Sequence, residues 1–318
     1  MKILIASSID QNAIDKLREH HDVVCAFNAP KDTLQSRIAD REVLVFRSGV
    51  QIDAEVMVCA PDLRLLVRAG CGLDNLDLNY VRQHNLKLIR IPGPGAQAVA
   101  EMAFALMLAL GRRVLEADRL LRQGRWAKNE MKGYLLKDKT LGIVGCGNIG
   151  TRVGQLGAAL GMHPIGCVEH PSPKIAAKLH EQGIALKDFH QVLRQADFLS
   201  INVPLQQSTR YLINEETLAL MKPGAYLVNL ARGGVVDEAA LLKTLTEGKL
   251  RGAALDVHEK EGEGKISPLA GLPNVILTPH IGAMAVDSQH EIGRLLIGII
   301  ESYVADHAKF AAAEDLVM

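Results

Sequence analysis

At 318 residues, 48% of them hydrophobic and 23% charged, the chain has the profile of a soluble globular protein. It is long enough for two domains of roughly 100 to 200 residues. Lys and Arg together number 36, as do Asp and Glu, so no bulk charge draws nucleic acid and no nucleic-acid partner is expected. The five cysteines, Cys25, Cys59, Cys71, Cys146 and Cys167, are odd in number and widely spaced. They suggest neither a disulfide framework nor a C-x-x-C metal site, and they point to a reducing cytoplasm.

The opening MKILIASSID lacks the long apolar region and small-residue cleavage site of a secretory signal and reads as a first strand. The runs KILIA, DVVCAF, VLVF, LRLLVRAG and LKLIRIP then alternate with the helical patterns NAIDKLREH, TLQSRIAD and LDLNYVRQH. This alternation predicts a parallel sheet with crossover helices. Gly93-Pro94-Gly95 is expected to break the chain, as a hinge, before one long helix from about Gln97 to Arg122, with Gly124 near its end. Its apolar stretch, Ala98 to Gly111, is short for a bilayer span, contains Glu101 and runs into Arg112 and Arg113. It reads as a buried helix, and no membrane partner is expected.

From Leu141 the alternation restarts with TLGIVGCG and continues to NVILTPH, after which HEIGRLLIGIIESYVADH supplies an amphipathic helix. The pattern fits a chain that leaves its first domain, builds a second one, and returns. The expected division is one domain of residues 1–97 and 284–318, interrupted by a second of residues 98–283.

Gly145-Cys146-Gly147-Asn148-Ile149-Gly150 follows the apolar strand LGIV and opens a helix. Gly145 permits a tight turn, Gly147 lets the backbone approach a pyrophosphate, and Gly150 lets helix and strand pack closely, with the phosphates at the helix N-terminus. The acid that holds the ribose hydroxyls is expected at the end of the next strand. Val168 stands there, with Glu169 one residue later and no nearby Arg to favour a 2′-phosphate, so NAD is expected over NADP.

The stretches NLARGGVVDEAAL, GAALDVHEKEGEG and NVILTPHIGA, with the glycine loop, resemble the D-2-hydroxyacid dehydrogenase family. The reduction of a 2-oxo acid by a nicotinamide that this resemblance implies needs a cation for the carboxylate, a proton donor at the carbonyl oxygen, and a carbonyl carbon held against the hydride donor. Arg232 offers a planar fork for the carboxylate and carbonyl oxygens. His280 can protonate the developing alkoxide, and Glu261 can orient the imidazole and favour its protonated form. Each residue alone also has an ordinary reading: a helix-entry turn, a strand cap, and a solvated carboxylate in a polar loop.

Within the family, the stretches around Arg232, Glu261 and His280 resemble the 3-phosphoglycerate dehydrogenase-like branch. The resemblance extends to FRSGVQIDAEVM, RAGCGLDNLD and VAEMAFALMLALGRR, and so covers nearly the whole chain. It implies two doubly wound α/β domains, a Rossmann domain inserted into a flavodoxin-like substrate domain, with substrate in the cleft and domain closure around the hydride transfer. The implied reaction interconverts a (R)-2-hydroxy acid and its 2-oxo acid with NAD(H).

The resemblance further places Asn148 and Ile149 at the pyrophosphate and Pro204 beside the adenine. It places Leu230, Ala231, Asp256 and Ala283 on the cofactor side, with a strand-end cap as the other reading of Asp256. Arg47 and the amides of Gly70-Cys71-Gly72 would face a substrate anion, with simple solvation the other reading of Arg47. A homodimer through the nucleotide domain is implied, with the segment around Trp126 either at that interface or buried within one subunit.

Some positions depart from the family pattern. Gly262 follows Glu261 where Pro is usual, Cys71 stands in place of Thr, and Gly95 in place of Asn, so the substrate need not be 3-phosphoglycerate. The chain stops at Met318 without the regulatory extension of longer phosphoglycerate dehydrogenases, and control by serine is not expected. A dinucleotide-sensing scaffold like the co-repressors that share this resemblance is the rival reading, weakened by balanced charge and the lack of interaction tails.

Overall fold

Five short apolar runs build the first sheet. In chain order come β1 (Lys2–Ile5), α1 (Gln11–Arg18), β2 (Asp22–Cys25), α2 (Lys31–Ile38), β3 (Val43–Phe46), α3 (Ala54–Met57), β4 (Leu65–Arg68), α4 (Leu78–Gln83) and β5 (Lys87–Arg90). The strands are parallel in the order β2-β1-β3-β4-β5, the flavodoxin-like order. A parallel sheet must be covered on both faces, which is why β3 reads as an unbroken apolar run and β4 is apolar up to Arg68 at its end. Leu4, Leu44, Phe46 and Leu66 point to one face, where Leu34 and Ile38 of α2 and Val56 and Met57 of α3 cover them.

The chain then forms α5 (Gly93–Arg112), α6 (Val114–Arg122), β6 (Thr140–Val144), α7 (Asn148–Ala159), β7 (His163–Cys167), α8 (Pro173–Glu181), β8 (Ala185–Leu186) and α9 (Phe189–Gln195). It continues through β9 (Phe198–Ile201), α10 (Glu215–Leu220), β10 (Tyr226–Asn229), α11 (Glu238–Thr246), β11 (Gly252–Leu255), β12 (Val275–Leu277) and α12 (Val286–Glu314). These seven strands form a second parallel sheet in the order β12-β11-β10-β9-β6-β7-β8. Numbered from β6, its first six positions follow the Rossmann order, with β12 added at one edge. Val192, Leu193, Leu218, Leu241 and Leu245 cover one face. On the other, α5 lays Val99, Ala103, Phe104, Met107 and Leu110 against Leu141, Ile143, Tyr226 and Val228. The apolar length of α5 is therefore core of this unit. Its start lies beside the unit's end: a Cβ on Gly282 would sit 3.5 Å from Cγ2 of Val99.

Residues 1–314 are described by this computed structural model, with side chains to residue 306. The chain divides into a unit of Met1–Gly95 with Met284–Met318 and a unit of Ala96–Ala283. The first boundary falls two residues before the one expected at 97, and residues 315–318 of the expected substrate domain lie outside the described residues. The return helix α12 lays Ile292, Leu296, Ile300 and Tyr303, one helical stripe, against Ile3, Ile5, Val45 and Val67 on the second face of the first sheet. Gly293 allows the close approach to α1, since a Cβ there would meet that of Ala13 at 2.9 Å.

Two expectations about the connecting segment are corrected. Gly93-Pro94-Gly95 does not break the chain before the helix but forms its first turn, where a proline's missing N–H costs nothing. The single helix to Arg122 is two helices, split at Arg113, which takes a left-handed φ of 54°. Tyr134 N–H claims the Gly111 carbonyl at 2.7 Å, and Arg113 turns its guanidinium onto both Glu116 oxygens and the Glu130 carbonyl.

Candidate active site

The glycine loop leaves β6 at Val144. Gly145 has φ +92°, and a Cβ there would come within 2.8 Å of the Asn202 carbonyl oxygen. A Cβ on Gly150 would collide with the Gly145 carbonyl and reach Cγ2 of Ile143 at 3.1 Å, so this glycine is what lets α7 pack onto β6. Gly147 differs: a Cβ there would meet nothing within 4 Å. It caps α7 without a side-chain bond to the first-turn amides, which leaves N–H groups and the positive helix end available to an anion. Asn148 and Gly147 are exposed and Ile149 packs partly into the core. A loop closed by Gly145 and Gly150 but open over Gly147 fits a dinucleotide pyrophosphate.

Around this loop, Val168 packs toward the core while Glu169 is exposed, two residues beyond β7. Pro204 is exposed in the loop after β9, its carbonyl accepting from the Thr209 hydroxyl at 2.6 Å. Leu230 and Ala231 are buried directly after β10, and Ala283 packs partly against the same core. Burial pushes the Cys146 thiol up to about 12 and the Cys167 thiol up to about 11, so both are neutral, space-filling groups near neutral pH. A Cβ on Gly166 would collide with the Cys146 sulfur.

Arg232, Glu261 and His280 follow the adjacent strands β10, β11 and β12. His280 Nδ1 lies 2.9 Å from Glu261 Oε2, and the other carboxylate oxygen accepts the His258 N–H at 3.1 Å. Burial alone would raise the Glu261 pKa, but the hydrogen bond and charge of His280, joined by His258, outweigh it and hold the carboxyl below its ordinary value. His258 also ties the two loops together, its Nε2 lying 3.0 Å from the Thr278 carbonyl.

The backbone at His280 is left-handed, φ +55°, a strained conformation for a non-glycine residue. Asp256, one residue past β11 and buried, holds it there. Its carbonyl accepts the His280 N–H at 2.7 Å. Its carboxylate accepts from the Thr278 hydroxyl at 2.6 Å, the Ile281 N–H at 2.9 Å and the Gly282 N–H at 2.7 Å. Both oxygens of Asp256 are thus engaged in the loop that presents His280, the arrangement of a strand-end cap.

A second organiser, unmarked by any sequence expectation, is Asn229 at the end of β10. Fully buried, it accepts the Ala231 N–H at 3.0 Å and donates to the Arg232 carbonyl at 3.1 Å. Gly233 completes this turn, since a Cβ there would collide with the His258 carbonyl. The half-buried Arg232 donates from Nη1 to the Ala231 carbonyl at 2.7 Å. The only cue in the sequence was an Asn three residues before the Arg, too common a pairing to stand out.

In the other unit, Arg47 directly follows β3 and Gly70-Cys71-Gly72 follows β4. The buried Arg68 underlies that loop: its Nε donates to the Gly72 carbonyl at 2.8 Å, and a Cβ on Gly70 would come within 2.8 Å of its Nη1. The Cys71 thiol donates to the Pro92 carbonyl at 3.3 Å.

These features define a two-unit α/β protein with a Rossmann-type dinucleotide-binding unit and a His–Glu pair at its strand ends. Residues 104–282 match the family described as D-isomer specific 2-hydroxyacid dehydrogenase, NAD binding domain, and the chain belongs to that family. It is 38% identical over 297 residues to D-3-phosphoglycerate dehydrogenase of Methanocaldococcus jannaschii, covering 93% of this chain and 56% of that one. It is 36% identical over 299 residues to hydroxypyruvate reductase of Thermotoga maritima, covering 93% of this chain and 96% of that one. The chain thus spans little more than half of the first relative and nearly all of the second.

Among solved structures, D-lactate dehydrogenase of Aquifex aeolicus, complexed with NAD and lactic acid, superposes with a TM-score of 0.83 at 27% identity, covering 97% of each chain. An acyclic imino acid reductase in complex with NADPH and D-Arg superposes with a TM-score of 0.85 at 28% identity, covering 96% of this chain and 98% of that one.

Proposed function

We propose that the chain interconverts a 2-oxo acid and its (R)-2-hydroxy acid with NAD(H). The observation that carries this reading is the 2.9 Å pairing of His280, in the loop after β12, with Glu261, in the loop after β11, the strand beside the β10 that delivers Arg232. The nicotinamide, when bound, supplies or accepts the hydride at the carbonyl carbon. Arg232 takes the substrate carboxylate and carbonyl oxygen with its fork, and His280 gives its proton to that oxygen as negative charge builds on it. Glu261, held ionised, keeps the imidazole oriented and balances its charge. In the oxidative direction the neutral His280 receives the hydroxyl proton. Gly145, Gly147 and Gly150 with Asn148 and Ile149 would hold the pyrophosphate, with Pro204, Leu230, Ala231 and Ala283 lining the cofactor. Arg47 and the amides of Gly70, Cys71 and Gly72 would receive a substrate anion.

NAD is favoured over NADP by Glu169, whose exposed carboxylate just past β7 suits ribose hydroxyls and repels a 2′-phosphate. A homodimer is supported by the apolar surface around α6: Trp126 is 79% exposed, Leu135 66%, Leu121 58% and Leu115 54%. Several large apolar side chains exposed near one helix favour cover by a second copy, and Trp126 is not buried in its own chain. Sedimentation of the wild type and of Trp126→Ser tests this. A single mass that does not change with concentration and equals one chain removes the dimer.

The activity is tested by following NADH oxidation with hydroxypyruvate, phosphohydroxypyruvate, sulfopyruvate, glyoxylate and pyruvate, each repeated with His280→Ala. Turnover that falls about 100- to 10,000-fold in the variant, with NADH affinity kept, is expected. Turnover unchanged by the substitution would sink the assignment of His280.

A further inference from the structure

Arg47 is pinned more completely than a solvated surface arginine. Its N–H donates to the Ser7 hydroxyl at 2.9 Å, and its carbonyl accepts from Asn75 Nδ2 at 2.9 Å. The side chain is fixed as well. Nη1 donates to Gln289 Oε1, in the first turn of α12, at 2.8 Å, with the Ser8 carbonyl at 3.4 Å and the Met284 sulfur at 3.6 Å as weaker neighbours. Every one of these partners is neutral. Burial draws the Arg47 pKa below its ordinary value, and among the described residues no acidic group contributes an opposing effect. A cation in this position is desolvated without being compensated, a costly arrangement that an arriving anion relieves.

Arginine is usually held by a carboxylate, which aligns the fork and cancels its charge together. Here an amide oxygen supplies the alignment alone. We propose that Gln289 is a positioning residue for Arg47, a neutral acceptor that aims the guanidinium while leaving its whole charge for an anionic group of the substrate. The inference rests on the reading of Arg47 as an anion-binding group.

Gln289→Glu keeps the size and the acceptor of the native side chain but neutralises the guanidinium. Gln289→Met keeps the size and frees the guanidinium from its guide. Both are measured in the full chain for KM with the best 2-oxo acid of the panel, for kcat, for NADH affinity, and for equilibrium binding of tartrate to the NADH-bound protein. Expected for Gln289→Glu is a KM and a tartrate Kd raised about tenfold or more, and for Gln289→Met a rise of about three- to tenfold, with kcat within about twofold and NADH affinity unchanged. In an Arg47→Ala background, neither substitution should change KM or tartrate affinity further, an outcome that a merely structural glutamine would not produce.

Wild-type turnover together with variants that keep the native KM and tartrate affinity overturns the role of Gln289 and leaves the proposed reaction standing. A loss of kcat and NADH affinity along with KM also overturns it, since that marks general damage. Absence of both turnover and tartrate binding in the wild type removes the proposed reaction and this inference with it.

Discussion

His280 Nδ1 and Glu261 Oε2 stand 2.9 Å apart, and the second Glu261 oxygen is held by the His258 N–H. The carboxylate therefore cannot rotate away from the imidazole without losing a backbone bond. The ordinary Glu value is 4.5, and the folded value lies below it. A depressed carboxyl stabilises the fold fully above pH 4.5, and that contribution disappears as pH falls through the lower folded value. Glu261→Gln should flatten the acid limb of the stability curve below pH 4.5 and lower turnover by about 10- to 100-fold. Urea unfolding at several pH values and steady-state rates check both. A variant with the native acid limb would show that the pairing contributes nothing to stability.

Asp256 is more exacting than Glu261 because three donors converge on its buried carboxylate. Asp256→Ala leaves those donors unsatisfied and should destabilise the chain by about 3 kcal/mol or more. Asp256→Asn can keep only one oxygen and turns an NH2 group toward an N–H, so it should fall between. In both variants His280 loses its fixed presentation, and kcat should drop more than NADH affinity. An Asp256→Ala protein with native stability would contradict this account of the loop.

The two ends of the glycine loop separate folding from binding. Gly147→Ala projects its methyl where no protein atom lies within 4 Å. It should leave the thermal midpoint within a few degrees, since an alanine cap costs about 1 kcal/mol, and weaken NADH by about tenfold or more through the blocked approach of phosphate. Gly150→Ala drives its methyl into the Gly145 carbonyl and should cost stability and binding together. Calorimetry with NADH titration distinguishes them, and equal effects from both would refute the division of labour.

Glu169→Ala addresses the choice of cofactor. Removing the carboxylate should bring the ratio of kcat/KM for NADH over NADPH down by about tenfold, mostly through better use of NADPH. An unchanged ratio would move the selectivity to other residues.

Both sheets were legible in the sequence except the two-residue edge strand β8, because strands covered on two faces read as apolar runs such as VLVF, and the helices between them carry period-3.6 stripes. The pairing of Glu261 with His280 was legible through the motifs that contain them. The split at Arg113 was not, because it depends on Tyr134, twenty-one residues onward, capturing a helix carbonyl. The pinning of Arg47 by Gln289 was hidden for the same reason, as it joins residues 242 apart in sequence. Asn229 was hidden differently: its bonds are local, but an Asn before a turn carries no mark of what it clamps.

Val99, nine residues after β5 ends, lies beside Gly282, where the chain leaves the nucleotide-binding unit. Entry and exit of a 188-residue insertion therefore share one doorway. Such a module can be gained, exchanged or cut out by editing a single spot. A short Gly-Ser bridge from Gly95 to Met284 would leave the β2-β1-β3-β4-β5 sheet and its returning helix with every covalent connection they use, a minimal protein whose folding can be measured by itself.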